Sequence, residues 1–163
     1  MRRFTSFAAL GGIALGLALL VSPALVQAHE TRTIADGKYE IVAGFMNEPV
    51  FAGDKSGLEF WVSEVAAATP AAEAEAEGTP VEGLEETLQA EVIFGDQTMD
   101  LPIEATYAEP GGYGSVFFPM QPGDYTFRIY GTIGDVEVDE TFTSGPETFG
   151  AVADPAPLQF PVS

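Results

Sequence analysis

The chain has 163 residues, with 25 acidic side chains against six basic ones, a single histidine and no cysteine. That length suits one domain with a two-layer core, and the missing cysteine excludes a disulfide framework, a thiolate metal site and a cysteine nucleophile. The negative charge repels phosphate backbones and anionic headgroups, so it argues against nucleic acid and peripheral membrane binding and leaves cations, cationic partners or plain solubility as its use.

Residues 1–28 read as a cleavable signal peptide. Arg2 and Arg3 precede an apolar run from Phe7 to Val21, and Val26-Gln27-Ala28 resembles an A-x-A cleavage site. The alternative is a retained anchor, since Phe7 to Val26 approaches the roughly 20 residues of a membrane span. Pro23 and the thinning glycines favour the signal peptide. Cleavage after Ala28 gives an exported chain of 135 residues, periplasmic or extracellular and without a further membrane span. Its only bases are Arg32, Lys38, Lys55 and Arg128, so its net charge is −21.

Strand-like alternation begins at Tyr39, with Tyr39, Ile41 and Phe45 on one face, and stops at Asn47-Glu48-Pro49. Leu58, Phe60 and Val62 then alternate with Glu59, Trp61 and Ser63, a second half-buried strand. Over 65–83 the composition shifts to Ala, Glu, Thr, Pro and Gly, with like charges and only alanines to bury. A disordered, acidic, solvated insertion loop is expected there. Leu88, Ala90, Val92 and Phe94 lead through Gly95-Asp96-Gln97 to Met99, Leu101 and Ile103, a hairpin pattern. Tyr113 to Phe118 follows the turn Glu109-Pro110-Gly111-Gly112, and Pro122-Gly123-Asp124 marks another turn.

Tyr125, Phe127, Ile129 and Ile133 share a face, Gly134-Asp135 turns, and Val136, Val138 and Phe142 return. Glu140 falls on the apolar face of that return strand, which predicts a bulge or frayed end. Gly and Pro dominate from Ser144 onward, so 145–163 reads as an irregular tail after a 29–144 domain. About seven short strands with Gly/Pro/Asp turns predict an all-β fold, an immunoglobulin-like antiparallel β-sandwich.

Two stretches, Glu40-Ile41-Val42-Ala43-Gly44-Phe45-Met46-Asn47-Glu48-Pro49 and Gln121-Pro122-Gly123-Asp124-Tyr125-Thr126-Phe127-Arg128-Ile129, resemble exported bacterial immunoglobulin-like domains of the YtkA-like and CopC-like types. The resemblance covers Thr33 to Thr143, rests on pattern and speaks for fold before activity. It implies that Tyr125 acts as a tyrosine corner, its hydroxyl returning to upstream backbone. CopC-like proteins are periplasmic copper carriers, some of which use the mature N-terminal histidine as a ligand. Here the expected cut leaves His29 as residue one, but the further histidines of those proteins are absent.

An N-terminal histidine offers its α-amine and Nδ1 as a chelating pair for Cu(II), with Glu30 and Asp36 the carboxylates nearest in sequence. The alternative is that His29 merely follows a cleavage site. Met46, Met99 and Met120 could serve Cu(I), but each sits at or beside a strand where core filling explains it. Calcium has no run of closely spaced acids to bind. A Ser-His-Asp arrangement, a G-x-S-x-G elbow and a phosphate-cradling loop are all missing, so no enzyme is expected. Trp61 alternates outward from its strand, where it could anchor a partner or be covered by a loop. The sequence thus leads to a non-enzymatic exported module that binds an envelope or secreted protein. The first alternative is a copper-binding protein using His29, and the second is a subunit of an envelope assembly pairing through its sheet edges.

Overall fold

The computed structural model describes residues 28–65 and 78–161. Apart from Ala28, the expected signal peptide lies outside the described residues, as does the Ala/Glu-rich centre of the expected insertion loop.

The chain forms ten strands among the described residues: β1 (His29–Ile34), β2 (Tyr39–Phe45), β3 (Ser56–Glu64), β4 (Thr79–Pro80), β5 (Leu88–Phe94), β6 (Gln97–Leu101), β7 (Glu104–Ala105), β8 (Gly112–Phe117), β9 (Thr126–Ile133) and β10 (Val136–Thr143). They make two antiparallel sheets. One has six strands in the order β1-β2-β3-β8-β7, with β4 beside the end of β3, and the other has the order β10-β9-β5-β6. The protein is thus all-β and sandwich-like. The expected strands carry the apolar alternation, whereas β1, β4 and β7 are polar or too short to show a period.

The core lies between the sheets. Tyr39, Ile41, Ala43 and Phe45 of β2 and Leu58, Phe60 and Val62 of β3 face Leu88, Ala90 and Val92 of β5 and Phe127, Ile129 and Ile133 of β9. Phe45 and Phe127 meet edge to face across the sheets at 5.1 Å. Tyr113 of β8 stacks on Phe60 at 5.2 Å, donates its hydroxyl hydrogen to the Val81 carbonyl (2.7 Å) and accepts from the Leu84 N–H (3.1 Å). At the described end of the loop expected over 65–83, these bonds and the Val81 N–H, which reaches the Val62 carbonyl at 2.9 Å, tie residues 79–84 to the sheet.

Glu140 does face the core side of β10, but the ladder with β9 is regular from Val136 to Thr143, so the expected bulge is absent. The reason is a countercharge from the other sheet. Arg32 of β1 reaches Glu140 at 3.1 Å, also pairs with Glu30, and lays its guanidinium over the Phe142 ring at 5.0 Å. It closes the edge where β1 and β10 lie over one another.

The segment after Ser144 has the irregular backbone its composition predicts, but it is part of the domain. Phe149 is fully buried, stacked on Phe127 at 5.7 Å and edge-on to Phe45 at 5.6 Å. Val152 is buried as well and bridges to Gly123, while the Gly150 N–H donates to Glu48 at 2.7 Å. Glycines and prolines interrupt this segment and leave no strand or helix pattern to read, so only the packed fold shows Phe149 and Val152 as core.

Phe149→Ala is expected to cost about 3–5 kcal/mol, the range for emptying a buried aromatic site, measured by urea unfolding. Arg32→Ala should cost on the order of 1 kcal/mol, and less at high salt, as for a partly exposed pair with a cation–π contact.

Candidate functional site

Register places the chain's one histidine on a built surface. On the outer face of the six-stranded sheet, His29 pairs opposite Gly44, Gly44 opposite Glu59, and Glu59 opposite Gly114. Strand spacing puts His29 and Glu59 two strands, about 10 Å, apart at the backbone. The gap closes because position 44 has no side chain. A Cβ there would lie 2.8 Å from His29 Cδ2 and 2.5 Å from the Ala28 carbonyl oxygen. The imidazole therefore leans across β2, and its Nε2 stands 3.1 Å from Glu59 Oε1.

The next row repeats the device. Trp61 pairs opposite Gly112, where a Cβ would sit 3.0 Å from the indole nitrogen. Trp61 leans over β8, and its Nε1–H donates to Glu109 at 3.2 Å. The imidazole and indole rings meet edge to face at 5.1 Å. Met46 covers the remaining glycines of this face, since a Cβ at Gly57 or Gly114 would fall 2.8 Å from its sulfur or 2.7 Å from its methyl.

The His29 and Glu59 side chains are each only 24% exposed. Burial pushes the Glu59 carboxyl above the ordinary glutamate range, and the negative charge of Glu109 adds to this, while the bond to His29 opposes it. The cluster joins an imidazole, a carboxyl and an indole on one solvent-facing surface.

The other residues singled out from sequence lie apart from it. Glu30 points to the inner side of β1, where it pairs with Arg32. Asp36 is exposed in the turn beyond β1, a strand about 17 Å long with His29 at its start. His29, Glu30 and Asp36 are thus not brought together, and among the described residues no three His, Cys, Asp or Glu side chains converge as a metal-binding set. Trp61 is half-buried on the outer face, flanked by His29 and Glu109. Core filling accounts for none of these methionines: Met99 and Met120 stand exposed at another edge, and Met46 lies over the glycines of the outer face. Glu59 and Glu109 are the residues that sequence reasoning missed. Alternation already placed Glu59 on the face of Trp61, but no spacing links either acid to His29.

No protein-family model matches the chain, and no curated protein matches it.

Two outcomes are expected of the cluster. In an NMR titration the Glu59 carboxyl should have its midpoint above that of an ordinary glutamate. A raised folded-state pKa adds stability that is complete below the unfolded pKa and lost as pH rises through the folded one. The stability of the native protein relative to Glu59→Gln should therefore fall as pH is raised from the acid side of the carboxylate range to neutrality. Gly44→Ala should displace the imidazole, so that the shift of Glu59 becomes that of a carboxyl without its histidine.

Proposed function

We propose that the protein is a non-enzymatic, exported, immunoglobulin-like binding module whose contact surface is the outer face of the six-stranded sheet around His29 and Trp61. The N-terminal leader pattern supports export. Two packed antiparallel sheets support the fold type, as does Tyr125, whose hydroxyl donates to the Gln121 carbonyl at 3.0 Å and accepts from its N–H, in the manner of a tyrosine corner.

The observation that carries the reading is the glycine-cleared seating of the two rings. Glycine inside a strand weakens it and adds no packing. Four glycines on this solvent-side face give room to an imidazole, an indole and a thioether, none of which belongs to the core. Aromatic side chains held by neighbours on an open sheet face are suited to anchoring a partner. A photo-crosslinking residue at position 61, introduced into the exported protein in its own cell, is expected to give a discrete adduct. The same residue at Tyr130, on the other sheet, should give none. Equal labelling at the two positions would remove this face from consideration.

The copper reading has a specific observation of its own. Glu59 engages Nε2, the ring nitrogen an N-terminal chelate does not use, and a carboxylate on the far nitrogen orients a metal-binding imidazole. Cleavage after Ala28 would set the new α-amine beside the free Nδ1. The fit extends to this nitrogen pair and its orienting carboxylate, with backbone amide or water left to complete a tetragonal Cu(II) site. Bound Cu(II) would supply a positive charge next to Trp61. Protein beginning at His29 should then bind one Cu(II) with strong quenching of its only tryptophan, and one extra N-terminal residue should abolish both. Quenching that survives the extension would exclude the chelate.

A further inference from the structure

A second surface lies on the side of the sandwich away from His29. Where β7 has ended, the two sheets part between β6 and the end of β8 and leave a cleft of about 200 Å³. Its floor is apolar and fixed. The Phe94 and Tyr125 rings pack at 4.6 Å, the Tyr125 hydroxyl is tied to the Gln121 backbone, and Val92 and Phe117 complete the base. Its mouth is apolar and open, with Met99 47%, Phe118 55% and Met120 70% exposed. Flexible methionines around an aromatic base form a surface that adapts to an inserted side chain.

Size, edge and charge narrow the occupant. The volume is below the roughly 300 Å³ at which small-molecule pockets begin and above the about 150 Å³ that holds a benzene ring, so it suits one large apolar side chain. Among the described residues β6 bonds only to β5, and its other side is a sheet edge that can accept an extended strand. No lining residue is charged, but three are chain neighbours of aspartates, in Asp96-Gln97, Met99-Asp100 and Asp124-Tyr125. Asp54 and Lys55, in the loop that bonds to Pro119, offset one another. Arg32 and Arg128 are engaged in ion pairs on other strands. A second copy of so acidic a chain would be repelled.

We infer that the cleft and the β6 edge form a docking site for an extended, cationic polypeptide segment that inserts one large apolar side chain between Met99 and Met120. The site is independent of the His29 face.

The test uses the exported protein carrying 13C-methyl methionine and a six-residue probe peptide with one phenylalanine flanked by lysines. The Met99 and Met120 methyl signals are expected to move saturably while that of Met46, on the outer face of the six-stranded sheet and outside the cleft, stays still. Replacing the peptide's phenylalanine by alanine should weaken binding at least tenfold, and Met120→Ala in the protein, at an exposed position, at least fivefold. Binding should also weaken on going from low to high salt. Still methyls, or all three moving alike, would overturn the site. Equal binding of a glutamate-flanked peptide would overturn its charge preference. Movement of Met99 and Met120 on concentrating the protein without peptide would make a second copy the occupant and overturn the cationic segment.

Discussion

Without cysteine, everything in this domain depends on aromatic packing between two sheets. Phe45 of β2 is the pivot, in ring contact with Phe117, Tyr125, Phe127 and Phe149. These four contacts tie together the β2 end, the β8 end, the start of β9 and the C-terminal segment, which are far apart in the chain. Because such contacts need complementary shape as well as buried area, the tail after β10 must dock before the sandwich is complete. The same cluster sets the floor of the cleft beside β6, since Tyr125 and Phe117 belong to both.

Outside the core, the outer face of the six-stranded sheet follows from register. A row running His29, Gly44, Glu59, Gly114 alternates side chains with gaps, and the adjoining row sets Trp61 against Gly112. Each gap lets a neighbour lie flat across a strand instead of standing upright from it. The result is a cluster of histidine, glutamate and tryptophan drawn from two strands, β1 and β3, with His29 and Glu59 30 residues apart in the chain. Burial is the main cause that lifts the Glu59 carboxyl, with the charge of Glu109 adding to it.

Charge has two separate uses. The few basic side chains of the described residues hold the structure locally: Arg32 neutralises an acid that faces the core, and Arg128 spans Glu91 and Asp139 on the other sheet while lying over Tyr130. Burying even part of Glu140 without its guanidinium would leave an uncompensated charge at the sandwich edge. Most other acids of the described residues lie on turns and outer faces, where they add to the negative field around the protein.

The sequence by itself determined the all-β class, the seven apolar strands and most of their turns, because half-buried strands carry a period of two that needs no partner to be seen. It also placed Trp61 and Glu59 on one outer face. Only the tertiary structure decided that HETRTI is a strand at all, since β1 gains its place from pairing with β2 and from the Arg32–Glu140 contact, not from apolar alternation. It alone brought His29 to Glu59 and Trp61, sent Glu30 and Asp36 elsewhere, and made core of Phe149 and Val152. These outcomes depend on which strands lie side by side and in what register. Register is set by the packing of the whole core, so local pattern cannot contain it.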